Sequence, residues 1–152
     1  MSWDSNNLAC ILIFPPWQRQ GLGKILMGVS YELSRREGRI GGPERPLSEL
    51  GSKGYIKFWE ARVANAIIGT KVKNTMTVEE LATRCWLLPE DAIAALKSMD
   101  VLEKSKKAAG GLVVSKAGVK EWVAKSRIDL TSPISAEGFV EDAMPQENWH
   151  EG

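Results

Sequence analysis

The sequence predicts an α+β protein, and three observations carry that reading. A continuous apolar run, Leu8–Phe14, ends at Pro15-Pro16 and reads as a strand buried on both faces. A loop holding Gly21 and Gly23 follows it and leads into helical spacing. Beyond residue 70 the pattern changes to two short helices, two short strands and a final helix. The 152 residues suffice for one compact domain, or for two small lobes sharing a core.

Taken in order, the apolar positions Leu22, Ile25, Leu26, Val29 and Leu33 define the first helix, which should stop at Gly38 after the basic turn Arg35-Arg36. Residues Arg39–Leu50 (RIGGPERPLSEL) carry glycine and proline breaks and read as an extended segment with turns. Helical spacing resumes at Gly54 through Tyr55, Phe58, Trp59 and Val63, to about Ile68. Thr77-Val78-Glu79-Glu80 has the form of a capping box. Pro89 suits the first turn of a helix continuing through Ile93, Leu96 and Met99. Val101–Glu103 and Leu112–Val114 read as strands about a basic turn, and Lys116–Lys125 as a last helix. That order is the order of a winged helix. After Arg127 the acids, prolines and absent periodicity predict a disordered tail.

Composition narrows the chemistry. With 43% hydrophobic and 26% charged residues the chain has the make-up of a soluble protein, and its longest apolar run is far short of the roughly 20 residues a bilayer requires. No basic segment followed by an apolar stretch and a cleavage site begins it, so a signal peptide is not expected. Cys10 and Cys85 form no CxxC pair, and the only histidine is His150. A Ser-His-Asp triad and a histidine-based zinc site are therefore excluded from this chain; a carboxylate, a thiol or a lysine must move any proton. The net charge of +1 is unevenly spread: residues 18–62 hold nine Lys/Arg against five Asp/Glu, residues 63–127 eleven against seven, and residues 128–152 six acids with no Lys or Arg. A basic body with an acidic end suits a phosphate-bearing partner, and equally a solvated surface with a loose terminus.

Two places can carry chemistry. A helix amino terminus presents unpaired N–H groups and partial positive charge, and glycines let the backbone approach an anion closely. Gln18-Arg19-Gln20-Gly21-Leu22-Gly23-Lys24 lies between a strand and an amphipathic helix and has the form of an anion cradle; a purely structural turn is the alternative. Glu44, in Gly41-Gly42-Pro43-Glu44-Arg45-Pro46, is either an ordinary exposed acid or a fixed general base able to take a proton from a lysine ammonium. Cys10, among aliphatic residues, reads first as a small buried hydrophobe.

Asn7–Phe14 (NLACILIF), Gln18–Lys24 (QRQGLGK), Ser30–Gly38 (SYELSRREG) and Gly42–Gly51 (GPERPLSELG) together resemble the MYST family of histone acetyltransferases, closely over residues 5–68 and loosely beyond. Ile13-Phe14-Pro15-Pro16-Trp17 is similar to fungal members of the Sas type. The resemblance implies a GNAT-like acetyl-CoA-binding core fragment (residues 1–70), a winged-helix lobe (71–127) and an acidic disordered tail (128–152). It implies Glu44 as the general base and Cys10 as the active-site cysteine. Ile11, Leu12 and Ile13 match the strand holding the acetyl-pantetheine arm, Gln18, Arg19, Gln20, Gly21, Leu22, Gly23 and Lys24 the pyrophosphate loop, and Ser48 a further coenzyme contact. Gly28 and Val29 depart from the family pattern, which usually has an acid and an aromatic residue there; Ser52-Lys53 and Lys57 depart from it too.

The function so implied is transfer of acetyl from acetyl-CoA to a lysine of a histone tail in the nucleus, without a metal in this chain and without a membrane, beside the subunits of a chromatin-modifying complex. The family's zinc finger and early strands precede the part matched here, so the chain resembles the carboxy-terminal half of a catalytic domain. The alternative is an inactive fragment or a chromatin- or DNA-binding winged-helix module using Lys104, Lys106 and Lys107. An acetyltransferase for a small amine is disfavoured by the GPERPLSELG block.

Overall fold

A computed structural model describes residues 6–71, 75–105 and 111–139 of the chain. Its elements are β1 (Asn6–Leu8), α1 (Leu22–Arg36), β2 (Gly42–Pro43), α2 (Glu49–Gly69), β3 (Thr75–Thr77), α3 (Val78–Cys85), α4 (Pro89–Ser98), β4 (Leu102–Lys104), β5 (Leu112–Ser115) and α5 (Lys116–Ser126), with 3₁₀ turns at Pro15–Trp17 and Ala136–Gly138. The protein is thus α+β. β1 and β2 pair in parallel, and β5 lies between β3 and β4 in a small antiparallel sheet. None of the helices among the described residues is long and apolar enough to cross a membrane.

The expected strand Leu8–Phe14 does not extend past Leu8. Its one partner among the described residues, β2, is two residues long and ends in Pro43, which has no N–H to continue a ladder. The last rung is the Glu44 N–H donating to the Leu8 carbonyl at 3.0 Å. An apolar run gains burial only where neighbours cover it, and here Leu12 and Phe14 stay 76% and 66% exposed and Cys10 is exposed as well.

The helix α1 ends as its sequence dictates. Gly38 takes a left-handed φ of 68°, its N–H donates to the Arg35 carbonyl, and the Arg39 N–H donates to that of Ser34. The buried face is not the expected one, however. Ile25 and Leu26 are exposed, while Met27, Ser30, Tyr31 and Ser34 face inward. The reason is α2, which carries the aromatic wall that α1 meets: Tyr31 stacks on Phe58 with ring centroids 5.3 Å apart, and Trp59 donates its indole N–H to the Tyr31 hydroxyl at 2.8 Å.

The second helix, α2, starts at Glu49, five residues before the expected Gly54, because the Ser48 hydroxyl caps it by accepting the Gly51 N–H at 3.0 Å. It packs against α1, α3, α4 and α5. Its Trp59, Val63 and Ile67 join Leu81, Leu87, Leu96, Val114 and Val119 in one continuous core. The Thr77–Glu80 capping box forms with both of its hydrogen bonds, and Pro89 occupies the first turn of α4.

Disorder was expected after Arg127, yet residues 128–139 lie against the body. Leu130 packs on the core, and its carbonyl accepts from the Asn65 amide at 3.3 Å. Arg36 donates to the Ala136 carbonyl at 2.7 Å and stands 4.8 Å over the Phe139 ring. A Cβ at position 28 would lie 2.9 Å from Pro133 Cγ, so Gly28 is what admits this segment. Leu130, Pro133, Ile134 and Phe139 supply the apolar contacts that the acidic composition obscured. The remainder of the expected tail, 140–152, and the turn lysines Lys106 and Lys107 lie outside the described residues.

Replacing Trp59 with Phe keeps one aromatic ring but opens a small cavity and takes the buried donor from the Tyr31 hydroxyl. Urea denaturation should show a loss of about 1–3 kcal/mol.

Candidate functional site

The turn into α1 is built by its own side chains. Gln18 donates to the Ile13 carbonyl at 2.9 Å and Gln20 to that of Pro16 at 3.1 Å, folding the loop back on the extended segment before it. Arg19 and Gly21 both adopt left-handed φ angles, 62° and 80°. Gly21 is the N-cap and gives no side-chain cap, and the first turn of α1 contains no acid. The amides of Leu22, Gly23 and Lys24 therefore meet no side-chain oxygen from the cap, and the helix dipole there is unopposed by an acidic residue of that turn. A Cβ at Gly21 or at Gly23 would meet no heavy atom within 4 Å outside its own stretch of chain, so the side of the turn where these glycines lack side chains is open. This arrangement fits a phosphate group. Lys24 adds charge and lies 3.8 Å from Asp129.

Of the extended residues, Ile11 and Ile13 are half-buried and Leu12 is exposed. Ser48, expected at the coenzyme, has its hydroxyl oxygen engaged as the α2 cap. Glu44 and Cys10 are brought to the same edge: the Glu44 amide is bonded to Leu8, two residues before Cys10. Both side chains are exposed, so Glu44 lies in no apolar pocket here.

The loop that carries Glu44 is fixed from behind. Gly41, Gly42 and Pro43 are buried; Asn7 donates to the Gly41 carbonyl at 3.3 Å. A Cβ on Gly42 would fall 2.8 Å from Leu88 Cδ1 and 2.9 Å from Asp91 Oδ2. Arg45 makes an ion pair with Asp91, a carboxylate that is 0% exposed in the first turn of α4. Burial pushes the Asp91 carboxyl up to about 6; Arg45 opposes the rise and Glu90 adds to it. Burial likewise carries the nearby Tyr55 hydroxyl up to about 12, with the Asp91 charge adding to it. Arg45 and Asp91 were not singled out from the sequence. An acid two residues after a helix-starting proline is ordinary, and nothing local distinguishes a buried one.

A separate cleft of about 420 Å³ lies between α2, α3 and the 130–133 segment, bordered by Arg62, Arg84 and Cys85. Lys24 alone connects it with the turn residues. Arg62 donates to the Cys85 carbonyl at 2.6 Å, and burial raises the Cys85 thiol to about 11, which suits a structural thiol and not a nucleophile. No group of three or more His, Cys, Asp or Glu side chains placed to hold a metal occurs among the described residues.

The α+β chain thus combines a helix start open to an anion with a glutamate-bearing loop bonded to the segment that precedes it. Residues 1–137 match the MOZ/SAS family, and the chain belongs to that family. It is 44% identical over 105 residues to a MYST-like histone acetyltransferase 1 of Oryza sativa subsp. japonica, covering 69% of this chain and 23% of that protein. It is 42% identical over 104 residues to histone acetyltransferase SAS2 of Saccharomyces cerevisiae (67% and 31%), and 40% over 102 residues to histone acetyltransferase MOF of Drosophila melanogaster (67% and 12%). The aligned part is thus under a third of each of these relatives.

Gly21→Ala forces a Cβ into the left-handed region and should lower stability by about 1 kcal/mol. Gly23→Ala, facing open space within the helix, should leave the denaturation midpoint unchanged or slightly raised. Asp91 gives a pH signature. Its folded-state pKa lies above the ordinary aspartate value, so the stability its protonated form contributes is complete below about pH 4. It is lost as pH rises through about 6. Stability should therefore fall between these pH values by on the order of 2 kcal/mol, and Asp91→Asn should remove that part of the slope.

Proposed function

We propose that this protein is a histone lysine acetyltransferase that moves the acetyl group of acetyl-CoA to a lysine ε-amine of a histone tail. The observation that carries the reading is the open, acid-free start of α1 reached through Gly21 and Gly23, with the Glu44 loop bonded to the segment that feeds it. Membership of the MOZ/SAS family and the names of the relatives support the substrate class.

In this reading Gln18–Lys24 receives the diphosphate of the coenzyme at the amides of Leu22, Gly23 and Lys24. The backbone of Ile11, Leu12 and Ile13 orients the acetyl-pantetheine arm, and N–H groups there stabilise the developing oxyanion. Ser48 stands near the coenzyme at the start of α2. The Glu44 carboxylate takes one proton from the substrate ammonium, directly or through a water. The freed amine lone pair forms the new C–N bond at the thioester carbonyl, the C–S bond breaks, and the surplus proton on the attacking nitrogen passes to the departing sulfur, so that a neutral amide and coenzyme A thiol result. In a two-step route the Cys10 sulfur first takes the acetyl group as the coenzyme C–S bond breaks and coenzyme A leaves, and the amine then displaces Cys10 from the acyl carbon.

Residues 1–70 form the GNAT-like part of the core, 71–127 a winged-helix lobe, and 128–152 an acidic end. Helices α3 and α4, the β4–β5 pair and α5 occur in the order such a lobe requires, which supports this division. A histone substrate places the protein in the nucleus with the other subunits of a chromatin complex. For a DNA contact, Lys104 on β4 is exposed and is the described residue that favours it.

Glu44→Gln should abolish transfer to a histone-tail peptide while acetyl-CoA affinity, measured by calorimetry, stays within about twofold. Full-rate transfer by that variant would remove the base. Cys10→Ala separates the routes, since direct attack survives it and the acyl-cysteine route does not.

A further inference from the structure

We propose that Arg45 and Asp91 are positioning residues whose ion pair fastens the Glu44 loop to the start of α4 and thereby sets where the Glu44 carboxylate stands. The inference rests on the reading of Glu44 as the base and adds what holds it. Glu44 itself is exposed, so its side chain is not located by packing. Its backbone is located from both sides. On one side its own N–H is bonded to Leu8 at 3.0 Å, and Asn7 holds the Gly41 carbonyl. On the other, the next residue, Arg45, reaches a carboxylate wholly enclosed by α4 and its neighbours. Gly42 lies so close to Asp91 and Leu88 that no larger residue fits without displacement. Two anchors thus bracket one residue.

Stability does not account for this pair. Arg45 is 50% exposed, so solvent screens its charge, whereas enclosing Asp91 is unfavourable and leaves its Oδ2 without a hydrogen-bond partner. An apolar residue at position 91 would avoid that penalty. What a buried carboxylate supplies and an apolar side chain does not is direction: a fixed acceptor that one loop arginine must find. The groups facing Asp91 are Arg45 from the loop, Glu90 on α4, Tyr55 on α2 and Tyr31 on α1, and Arg45 alone of these is cationic. The start of α4 therefore meets the Glu44 loop through the Arg45–Asp91 pair, whose members are 46 residues apart in sequence, and through the close approach of Leu88 and Asp91 to Gly42.

The test uses the full protein with acetyl-CoA and a histone-tail peptide. Arg45→Gln, Arg45→Lys, Asp91→Asn and the double replacement Arg45→Gln/Asp91→Asn are compared, and backbone hydrogen exchange is followed over Gly41–Leu47. Arg45→Gln and Asp91→Asn should each lower kcat about tenfold or more, with KM for acetyl-CoA within about twofold, and speed exchange in the loop. The double variant should be no slower than either single, and Arg45→Lys should recover most of the rate. Because Arg45 is half-exposed and Asn is isosteric with Asp, these variants keep the core intact, and a thermal melt checks that they do. Unchanged exchange with unchanged kcat, or losses that multiply in the double variant, would overturn the proposal. An inactive Glu44→Gln beside a full-rate Arg45→Gln sinks the ion pair's role alone. A full-rate Glu44→Gln sinks the base, and loop exchange then decides by itself whether the tether exists.

Discussion

The indole N–H of Trp59 donates to the Tyr31 hydroxyl within the core, and the packing of α1 follows from that bond. Both side chains are almost fully enclosed, so donor and acceptor have no water to turn to, and the helices must sit where the two atoms meet. With α1 fixed on one side of α2, the other sides of α2 are left for α3, α4 and α5. One long helix therefore carries the glycine turn at the start of α1 and the α4 anchor of the Glu44 loop in a constant relation. Tyr55, stacked on Trp59 at 5.4 Å and electrostatically linked to Asp91, extends the same aromatic wall toward that anchor.

What the sequence made legible were features settled by chemistry within a few residues. The Thr77–Glu80 box, Pro89 at the head of α4 and Gly38 beyond α1 each satisfy backbone groups of their own helix, so no distant residue is consulted. Where the outcome depends on what lies opposite, the pattern misled. Leu8–Phe14 has the composition of an inner strand, but strand formation requires partners, and β2 offers two residues. The apolar stripe Leu22–Ile25–Leu26 has helical spacing, yet α1 turns Met27 and Tyr31 inward because Phe58 and Trp59 are there to meet them. The six acids of 128–152 outweighed the apolar residues among 128–139, whose partners on α1 and α2 could not be seen from the segment itself.

The candidate site divides along the same line. The glycine turn was readable because an uncapped helix end is a local property. The identity of Glu44 came from a resemblance, and its surroundings came from neither: the Arg45–Asp91 contact joins residues far apart in sequence and looks unremarkable at each end. Among the described residues, the large hydrophobic side chains left exposed all fall between positions 12 and 50, the stretch that carries the proposed coenzyme contacts. The well-enclosed part of the core lies mainly in α2 and beyond. The proposed chemistry is thus mounted on the less covered portion of the chain and steadied by the better packed one.

The absence of a side chain at position 28 reaches further than helix propensity. Pro133 and Ile134 occupy the volume that a methyl group there would claim, which makes the two stretches a matched pair in three dimensions. Sequence drift at either place is constrained by the other. A lineage that restores a bulky residue in the middle of α1 must reshape or surrender the 128–139 strap, and with it the contacts of Arg36 and Asn65 with Ala136, Phe139 and Leu130.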